Sequence, residues 1–260
     1  LHAAPPDRPV PMFLALPDAS RVDQRRAGFE GDVLERLAAA SGGRVQAVDA
    51  RVYRADNAGF ALALSGALDA LAHGDAHVLV GGVDSYVDEE VLRALDDERR
   101  LYSTKGDGIH AGEGAAFALV SRAATPDAYA AIVDVSTAEE SMDDDAPSLA
   151  SAMTRALRSA AAASPGGRVA WLLSDFNGED HRASEWSKVT IRLAEELGEA
   201  EADRFVESTG DVGAATGALL LTIACRLTSA RARPHGSATI ALSSEGSTRA
   251  AVTVSFGGPR

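Results

Sequence analysis

The chain has 260 residues, 46% of them hydrophobic, so it can bury a sizeable core as one large domain or two modest ones; whole-chain disorder is excluded. Its formal net charge of −13 excludes a basic nucleic-acid footprint and association with an anionic membrane surface, and the ordinary reading of such an acid excess is a solvated surface. A single cysteine, Cys225, excludes an internal disulfide and a zinc site of several thiolates, and suits a reducing cytoplasm.

Strand and helix signals alternate along the chain, which predicts α/β layers. The opening stretch from Leu1 to Pro11 has paired prolines and no apolar core, so it does not read as a signal peptide. No apolar run approaches the ~20 residues of a bilayer crossing. The sequence does not open on Met, and a start inside a longer gene product is expected. Residues 10–16 read as an apolar strand and residues 29–40 as a helix stopped by Gly42 and Gly43. Residues 44–54 alternate as a half-buried strand should. An Ala/Leu-rich helix is expected over 57–72, closed by Gly74, then a buried strand over 77–82. A charged surface helix over 88–101 and a strand over 112–121 complete a first series.

A joint is expected at 123–128, and a second series follows. It reads as a strand at 131–135, an acidic loop at 139–145, a helix at 148–162 and a buried strand at 169–173. Helices over 183–199 and 213–231 come next, then a hairpin of 237–242 and 249–256 across Ser243–Ser247. The two series share an order of elements without a residue-level repeat. Such duplicated halves can pack face to face with one helix layer between their sheets.

Three stretches carry a resemblance to the β-ketoacyl synthases of the thiolase-like superfamily. Gly106-Asp107-Gly108-Ile109-His110-Ala111-Gly112-Glu113-Gly114-Ala115-Ala116 is similar to that family's "RDGFVxGEGAG" segment. Leu79-Val80-Gly81-Gly82-Val83-Asp84-Ser85 resembles its strand ending in "AGGVDS". Gly210-Asp211-Val212-Gly213-Ala214-Ala215-Thr216-Gly217 resembles "GHTxGAAG" ahead of a long apolar helix. With the element order, the likeness covers most of the chain.

The resemblance implies a decarboxylative Claisen condensation. In it a cysteine thiolate at a helix N-terminus takes the acyl chain, and two histidines polarise the malonyl thioester. This chain departs from the pattern at each position. The nucleophile position falls on Asn57, or on Asp56 with a one-residue slip, and neither can form a thioester. The "HGTGT" loop is replaced by Ser174-Asp175-Phe176-Asn177-Gly178-Glu179, which puts the first histidine position at Ser174 or Asp175. The second falls on Asp211, and the gating "GFGG" turn is replaced by Ser244-Glu245-Gly246-Ser247. Asn57, Asp175 and Asp211 are therefore the matching positions, with Ser174, Asn177, Glu179, His181, His110 and Glu245 as pocket-lining candidates.

Other candidates have plainer readings. Cys225 lies mid-helix on an apolar face and reads as a buried structural thiol. His181, after Asp175, Asn177, Glu179 and Asp180, suggests a metal or acid/base cluster, yet a polar turn ahead of the helix at Ala183 is preferred. His110 reads as a satisfied loop histidine, and His73 and His77 as solvated. The acidic run 139–145 lacks the glycine and glutamate spacing of an EF-hand loop. No phosphate loop or dinucleotide fingerprint is present, and neither a metal nor a cofactor is expected.

The fold expected is α/β: a thiolase-like layered αβαβα fold of two pseudo-repeated halves, 1–122 and 123–260. The N-terminal half reads as truncated, short by one strand–helix unit, because the family carries more chain before the nucleophile. The function expected is a catalytically degenerate ketosynthase-like partner, cytoplasmic, in the manner of a chain length factor or a carrier-protein-binding subunit. It would act as a homodimer through residues 44–54, or as a heterodimer with an active ketosynthase, with an acyl carrier protein as a further partner. Two alternatives stay open: an acyltransferase-type enzyme using carboxylates such as Asp175, Glu179 and Asp211 on thioesters, and an accessory protein unrelated to lipid synthesis that keeps only the fold.

Overall fold

The structure is a computed structural model, which describes residues 9–18, 21, 29–103, 107–122, 125, 127–141, 148–233 and 235–257. Strand β1 (Val10–Leu16) is apolar throughout and lies in a sheet with parallel neighbours on both sides, β2 (Val45–Arg54) and β3 (His77–Ser85). Strand β4 (Glu113–Ser121) closes the order β2-β1-β3-β4, antiparallel to β3. A second sheet has the order β5-β9-β8-β6-β7, from β5 (Ala131–Glu139), β6 (Trp171–Ser174), β7 (Glu201–Asp203), β8 (Ser237–Ser243) and β9 (Thr248–Ser255). There β6 is parallel to β7 and β8, and β8 is antiparallel to β9. Pairing sense therefore equates β1, β2, β3 and β4 with β6, β7, β8 and β9. Among the described residues, β5 and the helix after it have no counterpart in the first sheet.

Eight helices join these strands among the described residues: α1 (Phe29–Ser41), α2 (Gly59–Ala72), α3 (Glu89–Asp97), α4 (Ser151–Ala163), α5 (Asp180–Arg192), α6 (Ala194–Leu197), α7 (Val206–Thr209) and α8 (Thr216–Ser229). Local chemistry sets their ends. Asp88 caps α3 by accepting the Glu90 N–H at 3.0 Å. Gly42 and Gly43 stop α1 with φ of 59° and 79°, angles at which a side chain would be strained.

The main core lies between the sheets. Phe13, Phe60, Leu64, Trp171, Leu220 and Ile240 are buried there around α2 and α8. The outer face of the first sheet packs on α1 through Met12, Leu14 and Leu37. The outer face of the second packs on α4 and α5 through Met153, Leu157 and Val189. The result is the five-layered αβαβα arrangement the sequence predicts. Small residues make the middle layer thin: a Cβ at Gly217 of α8 would stand 2.6 Å from Phe60 Cβ on α2.

Several boundaries differ from expectation. The helix expected from 57 begins as a 3-10 turn, Asp56–Ala58, before α2. The strand expected at 131–135 runs on to Glu139, which pairs with Thr248 and so leaves the acidic loop. Glu140, also assigned to that loop, is buried and accepts the Ala152 N–H at 2.6 Å. The helix expected over 88–101 stops at Asp97, where Arg99 turns to φ 57°. The helix expected over 183–199 starts at Asp180 and breaks at Leu193. The expected joint at 123–128, the acidic residues 142–145, Gly106 and the opening eight residues lie wholly or largely outside the described residues. Among the described residues no helix is long and apolar enough to cross a membrane.

Candidate functional site

The site forms where strand ends and helix starts of the two sheets meet. β2 turns sharply into the helical layer at Asp56, whose φ is 44°. A positive φ outside glycine costs free energy and is typical of a strand-to-helix elbow that presents a functional side chain. Between the two positions the sequence offers, Asn57 and Asp56, the strained corner is Asp56; both side chains are buried. The Asp56 carboxylate accepts the Asp18 N–H at 2.9 Å and lies 3.5 Å from Arg21 Nη1. Arg21 Nη2 donates to both oxygens of Asp84 at 2.6 Å, and its guanidinium sits 4.2 Å above the Tyr86 ring. Burial pushes the Asp56 carboxyl up to about 6 against the pull of Arg21.

The glycine-rich stretches explain how these groups come so close. A Cβ on Gly82 would stand 2.0 Å from the Ala214 carbonyl oxygen, and one on Gly213 would stand 1.9 Å from Asp84 Oδ2. Gly213 has φ 51°, and the next residue, Ala214, donates its N–H to Asp84 Oδ2 at 2.9 Å. Ala111 and Asp211 form a β-bridge beside this contact. The three stretches singled out in the sequence thus converge on one junction between the halves.

Asp211 is fully buried at its centre. It accepts Asn57 Nδ2 at 3.4 Å, Asn177 Nδ2 at 3.1 Å and the Gly213 N–H at 2.9 Å. Asn177 also donates to Glu179 Oε2 at 3.0 Å. Arg100 lies across Glu179 and Glu245, at 2.7 Å and 2.8 Å. Behind it the buried Arg182 donates to the Ser243 carbonyl at 3.0 Å and lies 3.7 Å from Asp175 and from Glu245. Asp175 accepts the Ser243 N–H at 2.6 Å. Burial pushes the Asp175 carboxyl up to about 6, opposed by Arg182 and the Ser243 amide. Burial also acts to raise Glu245, but Arg182 and Arg100 outweigh it and hold that carboxyl below its ordinary range.

Of the residues predicted from sequence, Asn57, Asp175, Asn177, Glu179, Asp211 and Glu245 meet in this one network. Ser174 is buried at the end of β6 beside it. His110 does not enter through its ring, which stacks on Tyr102 at 4.0 Å; its carbonyl accepts the Asp211 N–H at 2.6 Å. His181 lies on the first turn of α5, which starts earlier than expected. Cys225 lies on α8, half-buried, with its thiol pushed up to about 11 by burial. Sequence reasoning missed Arg21, Asp84, Tyr86, Arg100 and Arg182. The signal for the arginines was the acid count itself, since so many converging carboxylates need cations. Among the described residues no group of three or more His, Cys, Asp and Glu is placed to hold a metal ion. A cavity of about 300 Å³ lies at the β4–α8 junction, lined by Ala115, Ala116, Val212 and Leu219.

No protein-family model matches the chain, and no curated protein matches it. Solved structures do. The ketosynthase from module 6 of the bacillaene synthase of Bacillus subtilis 168 superposes with a TM-score of 0.76 at 15% identity, over 97% of this chain and 54% of that one. The ishigamide ketosynthase/chain length factor gives 0.74 at 18% identity, over 99% and 75%. The ketosynthase in complex with its chain length factor from Xenorhabdus doucetiae gives 0.76 at 14% identity, over 96% and 75%. This chain spans about half the length of the first. At these identities the likeness is one of fold: the chain has the thiolase-like fold of ketosynthases and chain length factors.

Proposed function

We propose that this chain is a catalytically degenerate ketosynthase-like protein that serves as a structural or regulatory partner, in the manner of a chain length factor, of an active ketosynthase or an acyl carrier protein. One observation carries the reading. The groups at the elbow and at the two histidine-like positions, Asp56 with Asn57, Asp175 and Asp211, are buried and bound to one another or to arginines and backbone amides. Condensation needs a thiolate at the elbow, and the one thiol, Cys225, belongs to another helix and is held protonated by burial. It also needs neutral donors beside the thioester oxygen. The acceptor Asp211 there would repel a developing oxyanion by several kcal/mol in a low-dielectric site, on the order of 3–4 decades in rate.

Assembly through β2 fits the same reading. Among the described residues β2 is an edge strand of its sheet, ten residues long, and is offered as the pairing strand for a second copy or for a ketosynthase. A second reading, carboxylate-based acyl transfer, is favoured by one feature: Asp56 and Asp175 are both pushed up to about 6, close enough to neutrality for general acid–base work. The test is a condensation assay with acyl and malonyl carrier-protein thioesters, run with the chain alone and with a ketosynthase from the same organism. No product from the chain alone, with an altered product length or rate when the two are mixed, is expected. Ketoacyl product from the chain alone overturns the proposal, and no effect on the ketosynthase leaves the acyl-transfer and fold-retaining accessory readings.

A further inference from the structure

Among the described residues the junction holds six carboxyls, Asp56, Asp84, Asp175, Glu179, Asp211 and Glu245, against three guanidiniums, Arg21, Arg100 and Arg182. The neighbouring ion pair of Arg249 and Glu185, at 2.9 Å, is balanced within itself. Fully ionised, the cluster would carry about three uncompensated negative charges in a largely water-free site, which is strongly unfavourable. The groups are not equally provided for. Asp84 accepts from Arg21, Ser85 N–H and Ala214 N–H. Asp211 accepts from two side-chain amides and one backbone amide. Glu179 and Glu245 share Arg100. Among the described residues, Asp56 Oδ2 and Asp175 Oδ1 are buried oxygens left without a hydrogen-bond partner.

We propose that this cluster is a proton-held latch between the two halves: Asp56 and Asp175 carry protons in the closed junction, and losing them loosens it. With those two neutral, the excess falls from about three negative charges to about one. The junction is where such a change would act, because its contacts cross between the sheets. Arg100 and Asn57 come from the first half, and Glu179, Glu245 and Asp211 from the second. Asp175 is faced by Arg182, Asp211, Arg249 and the Ser243 amide, and Asp56 by Arg21, Asp84, Glu245 and the Asp18 amide. Two further titratable groups lie within electrostatic reach of the cluster. The Tyr86 phenol is kept neutral by burial and by Asp211, and burial lowers the His181 ring, which faces Glu179, Arg182, Glu245 and Arg100. The direction follows from linkage: a carboxyl raised in the folded state favours folding while protonated, and that contribution fades as pH climbs through about 6.

Infrared spectroscopy of the wild-type chain tests the proton directly. A carboxylic-acid C=O band in excess of the roughly 10% of exposed carboxyls still protonated should be present at pH 5 and vanish by about pH 7.5. Amide hydrogen exchange tests the latch. Protection at Ala214 and Ser243, corrected for intrinsic rate, should fall about tenfold or more from pH 5 to 7.5. The double variant Asp56→Asn, Asp175→Asn should show a flat profile. If that variant does not fold, the two wild-type measurements still decide. Absence of that excess acid band at pH 5 overturns the proposal, as does wild-type protection that is constant with pH. So does a folded double variant that keeps the wild-type profile.

Discussion

Asn57 Nδ2 donates to Asp211 Oδ1 across 3.4 Å, joining residues 154 positions apart, one at the start of the helical layer in each half. Both are buried to within 1% of complete. These are two of the positions that the sequence proposes for a nucleophile and a histidine. Here an amide and a carboxylate hold the corners to each other.

Asp211 is the hub of that contact, so Asp211→Ala should leave the Asn57 amide and the Gly213 N–H without that acceptor and the Asn177 amide with Glu179 alone. A loss of about 2–4 kcal/mol is expected, read from the urea unfolding midpoint at constant slope. A loss below about 0.5 kcal/mol would show that the hub is solvated and not buried.

The close approach of Gly82 to the Ala214 carbonyl makes Gly82→Ala destabilising, by about 2 kcal/mol or more, because backbone and not a flexible side chain must shift. Gly31 in α1 is the control: a Cβ there meets nothing within 4 Å, and its helical conformation suits alanine. Gly31→Ala should be neutral or stabilising by up to about 1 kcal/mol. Equal thermal shifts for the two variants would contradict the packing described.

The fold was legible because glycines leave a signature. The stretches at 79–85, 106–116 and 210–217 are spaced far apart in sequence, yet each is small for a packing reason that the structure confirms at Gly82, Gly112 and Gly213. The elbow was legible only to within one residue. Helical periodicity counts positions along α2 but does not register the φ of 44° that singles out Asp56. The acid count called for cations, but which arginines supply them was not legible. Arg100 lies 79 positions from Glu179 and Arg21 lies 63 from Asp84, and nothing local marks a surface-looking arginine as a buried partner. β7 was missed because three residues are too few to show a period.

Arg100 lies across Glu179 and Glu245 and is 27% exposed at its side chain, so solvent screens part of the interaction. Arg100→Ala should cost about 1–3 kcal/mol, chiefly by leaving the buried Glu179 to Arg182, at 3.9 Å, and the Asn177 amide. Arg100→Lys should restore less than half, since an ammonium cannot reproduce paired contacts to two carboxylates. Full rescue by lysine in a thermal melt would show that charge alone matters there.

Stability should depend on pH with opposite signs on the two sides of the carboxylate range. Asp56 and Asp175, raised to about 6, stabilise the folded chain while protonated and stop doing so as pH rises through about 6. Glu245, lowered by Arg182 and Arg100 against the effect of burial, stabilises above its unfolded pKa and loses that effect on acidification. The melting temperature should therefore fall between about pH 4.5 and 6.5 and level off above. A rise across that window would contradict the assignment.

We propose that the elbow takes no acyl group. Intact-mass spectrometry after incubation with an acyl thioester tests this on three proteins: the wild type, Asp56→Cys and Asn57→Cys. The wild-type mass should be unchanged. An adduct on Asp56→Cys alone would place the vacant nucleophile position at the strained corner with its access intact. A stable acyl adduct on the wild-type chain would contradict the account.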